Sequence, residues 1–119
     1  MSNIRPYRGI VPTISEKAYV DPSAVLIGDI IIGEESGVWP TCVIRGDVNH
    51  IRIGDRTNIQ DGSVLHVTHK NAENDFFGSP LIIGNDVTIG HKVILHGCEI
   101  QDARVYQRLW EEYAMFAYL

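Results

Sequence analysis

Three histidines carry the chemistry that this sequence offers: His66, His91 and His96. Neutral imidazole is the commonest metal ligand among side chains. Three imidazoles around one ion leave a fourth position open, which is the donor set of a catalytic zinc site. Such an ion turns water into a nucleophile near neutral pH. Taken singly, each residue reads equally as a surface histidine or a satisfied buried one. The trio is a site only if the fold gathers it, so the elements that position it come next.

The histidines sit on a repeat. From Val20 an aliphatic residue recurs at every sixth place: Val20, Leu26, Ile32, Val38 and Ile44. After a three-residue insertion, about His50 to Arg52, the phase resumes at Ile53, Ile59 and Leu65. Residues 67–80 break it again, and it returns at Ile83, Ile89 and Leu95. Four places after these aliphatics stand small or β-branched residues such as Ala24, Ser36, Thr57 and Val87, until Glu99 departs from the pattern. A helix needs a period of 3.6, which this spacing does not supply. A hexapeptide period predicts a mainly β chain, a parallel β-helix whose triangular coils hold three short strands and about 18 residues each. Every coil buries its aliphatics by stacking on the next.

Stacking every third unit, ~4.8 Å apart as in adjacent strands, sets residues in columns. The units opening at Ile32, Ile53 and Ile83 stack, as do those at Val38, Ile59 and Ile89, and those at Ile44, Leu65 and Leu95. The residue after each aliphatic then gives a glycine ladder, Gly33–Gly54–Gly84, expected where a corner needs unusual backbone angles. It also gives the column Arg45–His66–His96, while Asp61 and His91 stack on another face. One chain thus sets His66 over His96 and holds His91 apart. A threefold trimer, in which the next subunit supplies His91, closes the set.

The 119 residues bound the rest. They predict one domain, 1–119, with an irregular lead-in over residues 1–17 and coils over 18–100. No run reaches the ~18 apolar residues that span a membrane, and the N-terminus has no apolar core of a secretion signal. A net charge of −5 with scattered basic residues gives no nucleic-acid surface. Cys42 and Cys98 lack metal-type spacing, which predicts free thiols in a reducing cytoplasm, Cys42 in an inward slot. Trp39 follows Val38 and is expected over a corner or a subunit contact; Phe76 and Phe77 are expected in core packing nearby, the other readings being a shield over the metal or a contact with a neighbour. Past Ile100, residues 103–118 place Val105, Tyr106, Leu109, Trp110, Tyr113, Phe116 and Ala117 at helical spacing. The expectation is one α-helix, N-capped by Asp102, covering the open end of the coils. A shortened or rearranged version of a longer protein is the alternative.

Two segments, RGDVNHIRIGDRTNIQDGSVLHVTHK and IGNDVTIGHKVILHGCEI, resemble the gamma-class carbonic anhydrase family, and the resemblance runs over about residues 5–100. It implies a left-handed β-helix, against the usual right-handed crossover preference. It implies a homotrimer with the metal between subunits: Zn2+, or another divalent metal such as Fe2+ or Co2+, on His66, His91 and His96. Arg45 and Asp61 match the family's inter-subunit ion pair, and Asp47 and Gln60 its polar residues beside the metal. The implied activity is reversible hydration of CO2 to bicarbonate by a hydroxide formed on the metal. Gln60 would orient that hydroxide or bicarbonate, since an amide both donates and accepts; its other reading is a hydrogen-bonded corner residue. Asp47 would support the network.

The chain departs from the well-studied gamma pattern in two places. Val48 stands where a glutamate is expected, and the 67–80 loop offers only Glu73 and Asp75 as acids. His69 could carry a proton or be a polar loop residue. Weak hydration is therefore expected. Two other classes compete: a trimeric metal-binding scaffold without efficient catalysis, and a hexapeptide-repeat acyltransferase. The stacked histidine pair argues against the transferase, which needs one histidine and no metal.

Overall fold

The computed structural model describes residues 3–70 and 78–107. Thirteen short strands lie among them, joined by parallel pairings into a solenoid of hexapeptide coils. Most strands are two or three residues long and bury one or two side chains, because successive side chains point to opposite faces; Val25–Ile32 and Val43–Ile53 are longer and bury more. The inward residues therefore stack into three rows. One holds Ile4, Leu26, Ile44, Leu65 and Leu95. A second holds Ile14, Ile32, Ile53, Ile83 and Ile100. The third holds Val20, Val38, Ile59, Ile89 and Tyr106. These rows make up much of the aliphatic core, with Leu26, Ile44, Ile59, Leu65 and Ile89 wholly buried, and Ile30, Ile51 and Leu81 stack beside them. The three predicted stackings hold, register for register.

The residue four places after the aliphatic also points in for most units. Where it carries a hydroxyl, the hydroxyl ties one coil to the next. Ser36 donates to the Gly54 carbonyl at 2.6 Å and accepts from the Thr57 amide at 3.0 Å. Thr57 does the same with Gly84 and Val87, and Ser63 with Gly90 and Val93. Buried polar groups are kept only when paired, and these are.

Four expectations need correction. The ladder Gly33–Gly54–Gly84 is not set by unusual backbone angles. A Cβ on Gly33 would lie 2.7 Å from the Gly54 carbonyl, and one on Gly54 equally close to Gly84. The space beside each glycine is taken by the side-chain oxygen of Asp55, Asn85 or Asp102. Each of those oxygens accepts an amide of the coil before it, from Glu34, Asp55 and Asn85 respectively. Left-handed backbone falls instead on non-glycine corner residues, Glu35, Arg56, Asp86 and Ala103.

The insertion lies earlier than His50 to Arg52. Gly28 pairs with Gly46 and Ile30 with Ile51, so the surplus residues belong to 47–50. Ile51, not Val48, fills the inward slot. The lead-in is not wholly irregular, since Ile4–Arg5 and Thr13–Ile14 already pair with Val25–Ile32.

Nor does the repeat stop at Ile100. The last coil is one residue short: Ile100 stacks on Ile83, and Tyr106 on Ile89. Ala103 turns the corner with a left-handed φ of 58°, and Val105–Tyr106 is a strand where the 103–118 helix was expected to begin. Aromatic and β-branched side chains suit a pleated row as well as a helix face, which is why the spacing misled. The remainder of that expected helix lies outside the described residues, as do Phe76, Phe77, Glu73 and Asp75. No described helix is long and apolar enough to cross a membrane.

Candidate metal centre

Parallel pairing aligns Val64, Leu65 and His66 with Ile94, Leu95 and His96. Leu65 and Leu95 point inward, so alternation along the strand turns both histidines outward. The two rings lie edge to face with centroids 5.1 Å apart. Their separation follows from the spacing of neighbouring strands, as the stacking predicted.

Asp47 reaches His66 from the surplus residues of the insertion. Its Oδ1 lies 2.9 Å from His66 Nε2, and its other oxygen pairs with Arg45. Asp47 is only 9% exposed. Burial opposes its ionisation, but the Val48 amide, His66 and Arg45 outweigh burial and hold the carboxyl below the usual carboxylate range. A ligating histidine commonly gives its second ring nitrogen to such a carboxylate, which fixes the tautomer and the ring direction. The pair sets two neighbouring imidazoles beside an ionised carboxylate, so the donor chemistry fits a divalent metal.

His91 stands apart. It sits one coil after Asp61, and its Nδ1 lies 3.4 Å from Asp61 Oδ1. Its side chain is 68% exposed. No cluster of three or more potential metal ligands occurs among the described residues of one chain. The structure thus gathers two of the three expected ligands and leaves the third on the surface.

Arg45 and Asp61, expected as an ion pair between subunits, have other partners within the chain: Asp47 and His91. The contact between Arg45 and Asp47 was legible, because positions i and i+2 of a strand share a face. Gln60 lies at the corner before Asp61; its main-chain N–H donates to Ile89 O at 2.9 Å and its main-chain carbonyl accepts from the Cys42 thiol at 3.1 Å. Cys42 is buried, and burial raises its thiol pKa, as suits an inert inward residue. Trp39 donates to Asn58 at 3.0 Å and packs on Tyr19.

On one side the histidines are flanked by apolar residues. Val25, Val43, Val64 and Ile94 stack in one outward column beside the column that holds His66 and His96. Val64 and Ile94 are well exposed, Ile94 at 67%.

Comparison with known proteins agrees with the repeat. No protein-family model matches the chain. Protein YrdA of Escherichia coli is 57% identical over 97 residues, which are 82% of this chain and 52% of that protein. Gamma carbonic anhydrase 1, mitochondrial, of Arabidopsis thaliana is 48% identical over 91 residues, 76% of this chain and 32% of that protein. The chain thus spans about half the length of the first of these curated relatives and about a third of the second. Among solved structures, a hexapeptide transferase family protein from Anaplasma phagocytophilum superposes with a TM-score of 0.73 at 33% identity, over 89% of this chain and 64% of that one.

Proposed function

The chain is a homologue of the gamma-class carbonic anhydrases across the part that aligns, and on that premise we propose that it hydrates CO2 reversibly to bicarbonate with the help of a divalent metal. The observation that carries this reading is the stacked pair His66 and His96, with Asp47 fixed on His66. These two residues hold the metal from one subunit, and His91 of a neighbouring subunit completes the set. The assembly is a homotrimer of left-handed coils in a reducing cytoplasm, and zinc is the first choice of metal, with Fe2+ or Co2+ behind it.

A metal bound there would supply the Lewis acidity that makes water a nucleophile near neutral pH. The chain's own groups do the rest. Asp47 keeps the His66 proton on the nitrogen away from the ion. Asp61 does the same service for His91 or, across the interface, pairs with Arg45. Gln60 presents an amide beside the ligands, able both to donate and to accept toward a bicarbonate-shaped guest. The apolar column of Val64 and Ile94 excludes water from the subunit contact. Val48, with no acid or base of its own, leaves proton release to solvent or to His69, and slow turnover is the expected result.

The deciding experiment is metal content at defined oligomeric state for the wild type beside His91→Ala. The substitution is expected to strip the metal and leave the coils folded. Full metal retention in that variant would overturn the ligand assignment. A hexapeptide-repeat acyltransferase is the second reading, favoured by the Anaplasma structure's description; saturable binding of an acyl-CoA, with no metal on the purified protein, would put it first. Stoichiometric metal with hydration no faster than buffer would leave a metal-binding scaffold.

A further inference from the structure

The residues of the insertion do a second thing besides delivering Asp47. Asp47, Val48, Asn49 and His50 together form one wall of a cleft of ≈330 Å³. The opposite walls are the N-terminal turn with Arg8 and Ile10, the corner residue Asp29, and the strand exit with His69 and Lys70. Among the described residues, the charged groups in and beside this cleft are four cations, Arg8, Arg45, Arg52 and Lys70, and two acids, Asp29 and Asp47. Its two acids are already matched, Asp29 by Arg52 at 3.0 Å and Asp47 by Arg45 and His66. Arg8 and Lys70 have no carboxylate partner among the described residues. Arg8 lies over the Tyr7 ring at 5.3 Å, an arrangement that leaves the edge of the guanidinium free to donate. His50 is half-buried; burial, Arg52 and Lys70 lower its pKa against the pull of Asp29. It is therefore neutral at pH 7 and carries one donor and one acceptor.

We propose that this cleft is a second site, adjoining the metal centre through their shared Asp47, for a small oxyanion of the carboxylate and bicarbonate class, held between Arg8 and Lys70 with His50 on its wall. The volume admits such an ion with a few waters and is small for a nucleotide. A planar guanidinium matches two oxygens of the guest side by side, and an ammonium supplies a point charge from the other wall. The neutral imidazole suits an ion that has both a hydroxyl and bare oxygens, which favours bicarbonate over a simple carboxylate.

The site stands whether or not the metal reading holds, and its test keeps the two apart. Amide chemical shifts of the full chain would be followed during titration with sodium bicarbonate, with sodium acetate, and with sodium chloride at matched ionic strength. Saturable shifts at residues 8, 49, 50 and 70, with bicarbonate or acetate but not with chloride, are expected. They should persist in His91→Ala. In the Arg8→Asn/Lys70→Gln double variant half-saturation should need at least about tenfold more salt, as for loss of a charged contact worth ~1.4 kcal/mol or more. Both residues are exposed, and asparagine tolerates the left-handed backbone at position 8, so the variant folds. Equal affinity in the double variant, the same shifts with chloride, or shifts centred on residues 66 and 96 that vanish in His91→Ala would each overturn the proposal.

Discussion

At the scale of single residues, two side chains separate chemistry from scaffold. Asp47 contacts His66: its carboxylate is nearly buried, held ionised, and shared between that ring and Arg45, which in the proposed site would orient the ligand. Asp47→Asn should lower metal affinity by roughly 10–100-fold, as loss of an orienting carboxylate does, with little change in fold. Competition with a chelator measures it, and unchanged affinity would mean that Asp47 only ties Arg45 to the coil. Thr57 belongs to the scaffold. Its hydroxyl serves Gly84 and Val87, both in the next coil, so Thr57→Val leaves two buried groups short of a partner and should cost about 1–3 kcal/mol in urea unfolding. Metal binding by folded Thr57→Val should be unaltered. The sequence shows Thr57 only as one of many small inward residues; that it is doubly bonded depends on the next coil's height, which no local pattern states.

At the scale of the elements, the columns of aliphatics were legible because a period of six is a direct image of a three-sided coil. The pairs His66–His96 and Asp61–His91 followed from that register alone. What stayed hidden were breaks in the period that leave no mark of their own. The insertion was placed a few residues late, since Val48 and Ile51 are both plausible inward residues and only pairing with Ile30 decides between them. The one-residue shortening before Ile100 read as the end of the repeat, and the same aromatic residues then fitted a helix. The glycine ladder was found for the wrong reason. Its cause is the close approach of Asp55, Asn85 and Asp102, whose oxygens occupy the place of a side chain. Gly54→Ala should therefore destabilise by about 1–3 kcal/mol, the range of overpacked sites, although its backbone angles would suit alanine. A thermal midpoint equal to wild type would show that the coils can part to admit a methyl group.

At the scale of the whole molecule, one chain brings only two imidazoles together, and its apolar outward column needs a cover. Single exposed apolar residues are ordinary, but a contiguous row is what the proposed subunit contact would use. Ile94→Asp should leave the coils folded by circular dichroism, shift the protein toward monomer in sedimentation, and reduce bound metal in parallel. Loss of metal without loss of assembly would place the contact elsewhere. The stacked histidines have one more consequence. Their spacing is inherited from main-chain amides and carbonyls that join Val64–His66 to Ile94–His96, not from the packing of any particular side chain. The backbone ladder acts as a ruler with a fixed graduation, so the separation of the two rings is insensitive to exchange of Leu65 or Leu95 for other aliphatics, and drift in the interior can proceed without moving one imidazole away from the other.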